Sequence, residues 1–237
     1  MSSLLQNIQD AVSEIGLAPP STVVGSTDAT AIQMLSLMNA LGQELLTETE
    51  NGWQFLFKEN RFMTVAYTVT GDITAGSTTI ANVSSTAGIT TDFMVSGTGL
   101  LQDCVITGVG ATTLTTNVPA TVTATGQTLT LGQFQYAMPS DFYRLASKTA
   151  YNKTSRWTII GPKSAQEWQW LKASWISVGP RQRFRIINNK FALWPMPTAA
   201  VEIGYEYESN SWIQDISGNG KTRFTADTDQ AVSYTHL

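Results

Sequence analysis

Apolar residues recur at helical spacing in two stretches at the start of the chain. Leu4, Ile8, Val12 and Ile15 form one stripe, widened by Leu5 and Ala11, a period that predicts an amphipathic helix. Ser2 or Ser3 can cap it, Gly16 ends it and Pro19-Pro20 prevents its resumption. A second helix is expected from Asp28, with Ile32, Leu35, Met38, Leu41, Leu45 and Leu46 as its apolar side and Asn51-Gly52 as its stop. A connection of about ten residues makes the two an antiparallel pair. From Trp53 to Val69 the pattern turns extended, with Phe55, Phe57, Phe62, Val65 and Tyr67 in partial alternation.

At about Thr68 the chain changes character. From there to Thr130 it has no Lys or Arg, and its only charges are Asp72, Asp92 and Asp103. Short β-like runs (78–83, 93–96, 104–109, 112–116 and 128–131) alternate with Gly, Ser and Asn turns. This predicts a small all-β module over 68–132, inserted between two stretches of similar aromatic, mixed-charge sequence. Phe134 to Met138 reads as a strand ended by Pro139. A third helix is expected near 164–178. Ser164 and Glu167 form its capping box, Trp168, Leu171 and Trp175 share a face, and Gly179-Pro180 ends it. Residues 181–187 and 190–194 then read as a hairpin about an Asn188-Asn189 turn. Val201, Ile203, Tyr205 and Tyr207 alternate with Glu202, Gly204, Glu206 and Glu208, as in a half-buried strand. These three strands are expected to form a meander.

Composition narrows the function classes. Charged residues make up 14 % of the 237, against about 25 % for a typical domain, which suits β structure and packed interfaces. The net charge of −4 argues against a protein that wraps nucleic acid by neutralising phosphates. One cysteine, Cys104, and one histidine, His236, leave no intrachain disulfide and no His/Cys zinc site. In its strand-like context Cys104 is expected to be a buried small hydrophobe. The start lacks a basic, apolar leader, and no stretch reaches the ~20 apolar residues of a membrane span. Synthesis and folding in a reducing cytoplasm are therefore expected, with no membrane partner.

Candidate chemistry is sparse. Nucleophilic catalysis needs a positioned base, and the sole histidine lies at the tail. Asp227 and Asp229 could pair, but a solvated, turn-rich segment is the simpler reading. Gly97-Thr98-Gly99 lacks the helix and lysine of a phosphate loop and reads as a turn. No calcium-loop spacing occurs. No catalytic residue, metal or cofactor is expected.

The basic residues are more informative. Ten of the fourteen lie between Arg144 and Lys190. Arg181, Arg183 and Arg185 alternate, so they share one strand face. That face has three readings: solvated surface, subunit contact or DNA contact. In the expected meander this strand lies about 9.6 Å from the Glu202/Glu206/Glu208 strand, so the two are not direct neighbours within one subunit, and on the subunit-contact reading each charged ladder meets its opposite on the next subunit. Trp170, opposite Trp168 on the third helix, is a further interface candidate.

Several segments, taken in order, resemble phage head-to-tail adaptor proteins, the group that contains the tail tubular protein A of short-tailed phages. They are Gly16-Leu17, Val24-Gly25-Ser26-Thr27-Asp28, Trp53-Gln54, Met138-Pro139-Ser140-Asp141-Phe142, Asn152-Lys153-Thr154, Ile160-Gly161-Pro162, Glu167-Trp168 and Arg183-Phe184-Arg185. The resemblance covers most of 1–66 and 134–229. It implies a helical bundle beside a β-sandwich-like domain, in a twelve-subunit ring between portal and tail nozzle. The segment 68–132 is similar to a Thr/Gly-rich β module of phage structural proteins, which compact adaptors lack at this point.

The expected fold is therefore α+β: N-terminal antiparallel helices plus a third helix, packed beside an antiparallel β-sandwich-like domain, with an inserted small all-β module. Its parts are a helical part at 1–58, joined in space by the helix near 164–178, a β-rich adaptor domain at 59–67 and 133–229, the module at 68–132, and a truncated or foreign tail at 230–237. The expected function is that of a virion structural protein at the head-tail neck. Its partners would be further copies of itself, the portal protein and the tail nozzle protein, with genome DNA passing through without specific binding. The alternative is a carbohydrate-binding or host-adhesion module.

Overall fold

The structure, a computed structural model, describes residues 2–48, 54–173 and 182–232. Trp53, Trp175, Arg181, His236, the two expected helix stops at 51–52 and 179–180, and the Leu45 side chain fall outside that description. The fold is α+β, with three α-helices and antiparallel strands in several sheets. The chain begins with α1 (Leu4–Glu14), α2 (Ala29–Glu48), β1 (Phe57–Met63) and β2 (Ala66–Ile73). Next come β3 (Thr79–Ile80), β4 (Phe93–Ser96), β5 (Ile106–Val109), β6 (Leu114–Thr116), β7 (Ala124–Gln133) and β8 (Gln135–Ala137). These are followed by β9 (Phe142–Leu145), β10 (Tyr151–Asn152), β11 (Trp157–Thr158) and α3 (Ala165–Ala173). The last strands are β12 (Arg183–Ile187), β13 (Lys190–Trp194), β14 (Glu202–Ser209), β15 (Ile213–Gln214), β16 (Gly220–Lys221) and β17 (Gln230–Ala231).

The chain forms two compact units. One comprises residues 1–59, 139–146 and 206–237. Here Ser3 caps α1 by accepting the Gln6 N–H at 3.2 Å, and Asp28 caps α2 by accepting the Ala31 N–H at 3.1 Å. Leu4, Ile8 and Val12 of α1 pack with Val23, Leu46, Leu56, Trp212, Ile213 and Phe224. Ile15, expected on the buried stripe, is exposed, because the helix ends at Glu14 and Gly16 takes the chain away with φ of 76°. On α2, Ala31, Gly42 and Leu46 are buried while Ile32, Leu37 and Leu41 are exposed, so the expected apolar side is only partly covered.

The acidic segment near the C-terminus is a strap rather than a solvated tail. The Asp227 carboxylate accepts the N–H groups of Val23 and Val24, and the Asp229 side chain is fully buried. Their backbone carbonyls accept the first N–H groups of α1, from Leu5 and Leu4 respectively. The expectation of a solvated turn fails because these two carboxylates satisfy backbone donors that helix and loop geometry would otherwise leave unpaired.

The other unit comprises residues 60–138 and 147–205. Its Thr/Gly-rich part has two three-stranded sheets, ordered β2-β7-β4 and β3-β6-β5. Val69, Ile73, Ile80, Phe93, Val95, Cys104, Ile106, Leu114, Leu129 and Leu131 belong to the core between turns. Cys104 is completely buried there, and desolvation pushes its thiol up to about 11. The strands that open and close this part, β2 and β7, pair antiparallel from Ala66 opposite Gly132 onward. Ion pairs from Asp103 to Lys172 and from Asp92 to Lys190 tie it to α3 and β13.

The rest of this unit is built on two further sheets. In one, β12 and β13 form the expected hairpin, with Asn188 and Asn189 at φ of 49° and 55°. The expected meander is not formed. The second edge of β13 is taken by β8, and β14 instead lies between β1 and β10 in the order β1-β14-β10-β11. An aromatic ladder joins the two sheets. Phe184 stacks on Phe191 at 4.5 Å, and Phe191 stacks on Tyr205 at 5.3 Å. Phe62 stacks on Tyr136 at 4.4 Å. The third helix, α3, packs within this unit, with Trp168 and Leu171 against Met94, Phe134, Ala192 and Trp194.

Candidate functional site

The β12–β13 register places Arg183 opposite Trp194 and Arg185 opposite Ala192, with Phe184 between them facing inward. Alternation thus leaves both arginines on the partly exposed face. Neither forms an ion pair with another described residue. Arg181 lies outside the described residues.

The acidic strand is divided. Glu202 is partly exposed and lies 3.6 Å from Arg61. Glu206 is exposed. Glu208 is fully buried opposite Arg144, with which it is ion-paired. Burying a lone carboxylate is costly, and only such a partner offsets it. Glu208 is therefore not part of an exposed ladder, which corrects the sequence expectation. Nor are the two ladders two strands apart in one meander, since β12 and β14 belong to different sheets.

Trp170 sits on α3, whose start is the expected capping box. The Ser164 Oγ accepts the Glu167 N–H at 3.2 Å, and the Glu167 carboxylate accepts the Ser164 N–H at 3.1 Å. Trp168 is buried on one side of this helix, and Trp170 on the other is 64 % exposed.

One surface feature escaped the sequence reading. β10 and β11 pair across a tight turn, with Tyr151 opposite Thr158 and Asn152 opposite Trp157. The Asn152 side chain accepts the Ser155 N–H at 2.8 Å, and the Tyr151 hydroxyl donates to the Arg156 carbonyl at 2.6 Å. Tyr151, Arg156, Trp157, Thr158 and Ile160 line a cleft of about 280 Å³. Trp157, on the edge strand β11, is 45 % exposed, and Tyr151, on the neighbouring β10, 38 %. The signal was present as two large aromatics flanking a polar turn, but nothing in its period separates exposed aromatics from core ones.

A larger polar cavity of about 630 Å³ is lined by Lys58, Asp141, Lys221 and Arg223, among others. Asp141 accepts from Lys58 at 2.7 Å, Ser209 at 2.7 Å and Tyr207 at 2.9 Å. Burial works to raise its pKa, but these donors outweigh it and hold the carboxyl below its ordinary value. A carboxylate so engaged is poorly placed for proton transfer near neutral pH. Among the described residues no group of three or more His, Cys, Asp and Glu side chains could hold a metal ion, and no helix is long and apolar enough to cross a membrane.

The comparison with protein families is decisive for the class. Residues 101–227 match the family described as SU10 adaptor protein, which is more than half of the chain. The chain belongs to the SU10 adaptor protein family. The adaptor is accordingly a phage structural protein of the virion that interacts with other phage structural proteins. The match begins inside the Thr/Gly-rich part and runs through α3, both arginines of β12 and β14. No curated protein and no solved structure matches the chain.

Proposed function

We propose that the adaptor joins head to tail by forming a ring of identical subunits between the portal and the tail nozzle. The observation that carries this is the family match over 101–227. The resemblance of the ordered segments suggests twelve copies. Ring closure needs a heterologous contact, in which two different patches of one subunit meet on neighbours. Arg183 and Arg185 on β12 and Glu206 on β14 supply complementary charge for it, and the exposed Trp170 supplies apolar area. DNA passes through without specific binding, in keeping with a net charge of −4. The Thr/Gly-rich part decorates the neck. The test is native mass spectrometry and negative-stain imaging of the purified chain, alone and with portal protein. A ring under either condition is expected, and a monomer under both defeats the reading.

A further inference from the structure

The chain segregates its charge. Residues 1–57 hold six carboxylates (Asp10, Glu14, Asp28, Glu44, Glu48 and Glu50) and no Lys or Arg. Residues 144–190 hold ten of the fourteen bases against one carboxylate, Glu167. Several of those bases are spent internally, on Glu208, Asp103, Asp92 and Glu167. Arg156, Arg183 and Arg185 form no ion pair with a described residue. One of these lines the cleft, and the backbone of another runs beside it. Arg156 lines it, and Arg183 bridges to Ile160, with the Phe184 N–H donating to the Ile160 carbonyl at 3.1 Å. Tryptophan, tyrosine and arginine are the side chains that dominate binding energy at protein interfaces, and this cleft presents all three.

The acidic segment has the matching face. On α2, Leu37 and Leu41 stand one turn apart, 53 % and 43 % exposed, on the same side as Gln33, Ala40 and Glu44. An apolar strip in a segment without a single base is complementary to an aromatic cleft that carries Arg156. Duplex DNA would satisfy the arginines but not the apolar walls.

We infer that the cleft of Tyr151, Arg156, Trp157 and Ile160 receives the Leu37/Leu41 face of α2 from a second copy of the chain. This rests on the ring reading above and gives it a specific heterologous contact. One neighbour can present both α2 and Glu206, which belong to the same unit.

The test is photo-cross-linking of the full chain. Gln33→Cys, or separately Ala40→Cys, places a thiol at the rim of the strip for labelling with a benzophenone maleimide. Cys104 is fully buried with its thiol pushed up to about 11, so the new thiol alone reacts. Irradiation is expected to give covalent dimers whose linked peptide falls within 151–160. Arg156→Glu is expected to lower their yield about tenfold. Oligomers that form without this link, or with links elsewhere, overturn the contact and leave the ring standing. A chain that stays monomeric with and without portal protein overturns both. If Arg156→Glu abolishes binding to duplex DNA and no cross-link maps to 151–160, the cleft serves nucleic acid and the inference fails.

Discussion

The Lys221 ammonium lies 2.7 Å from the carboxylate of Asp229, whose side chain has no exposed surface. The same carboxylate accepts the N–H groups of Thr225 at 2.7 Å and Ala226 at 2.9 Å, while the Asp229 carbonyl accepts the Leu4 N–H at 2.8 Å. This single residue therefore closes its own turn and holds the start of α1. Asp229→Asn keeps the shape but replaces an acceptor-only group by one that also donates. It is expected to cost about 2–3 kcal/mol, read as a lower urea midpoint with unchanged slope. An unchanged midpoint would show that the strap contributes little.

Acid should loosen this unit in a defined window. Burial works to raise the Asp229 pKa, but Lys221 and the Thr225 and Ala226 N–H groups outweigh it, so the folded value lies below the ordinary one. Asp141 is shifted in the same direction. A carboxylate depressed by folding contributes stability above its unfolded pKa of about 3.9 and loses it as pH falls through the folded value. The urea midpoint should hold from neutral pH down to about 4 with respect to these two groups, then fall. Asp229→Asn should flatten that fall. Identical acid limbs for wild type and variant would count against the assignment.

Gly42 costs α2 about 1 kcal/mol of helix propensity relative to Ala, yet it lies mid-helix. The reason is Trp212: a β-carbon at Gly42 would come within 2.1 Å of its ring atoms. That ring is fixed by its Nε1–H donating to the Thr222 carbonyl at 2.9 Å and by Phe224 edge-on at 5.3 Å. Overpacking at such a site costs about 1–3 kcal/mol, so it outweighs the regained propensity. Gly42→Ala is expected to destabilise by about 1 kcal/mol net and to alter the near-ultraviolet circular dichroism. A more stable variant would show that the ring has room to move.

Local signals proved the readable ones. The Ser3 and Asp28 caps, the Ser164/Glu167 box, the Asn188-Asn189 turn and the burial of Cys104 each depend on residues within a few positions, and the sequence carries them directly. The α+β class followed from their sum. What the sequence concealed was long-range. Nothing near β14 indicates that β8 has already filled the edge of β13. Nothing near Glu208 reveals that Arg144, 64 positions earlier, stands opposite it. The exposed leucines of α2 and the exposed Trp157 look in sequence like any core residue, because an apolar face left exposed carries the same pattern as one that is buried.

The charge arrangement on β12 and β14 separates an assembly role from a stability role. Arg183 is partly exposed without a described ion-pair partner, and Glu206 is exposed, whereas Glu208 is buried against Arg144. Reversing an exposed interfacial charge weakens association and leaves folding nearly untouched. Arg183→Glu is therefore expected to raise the concentration needed for ring assembly about tenfold with an unchanged urea midpoint. Adding Glu206→Arg should restore part of the loss if the two strands meet on adjacent subunits. Glu208→Gln should behave oppositely, lowering the urea midpoint by weakening a buried pair, with any assembly defect following from lost folded protein. Sedimentation velocity beside urea unfolding distinguishes the two. An unchanged oligomer mass for Arg183→Glu would remove β12 from the contact, because a charge buried between subunits cannot be inverted without cost.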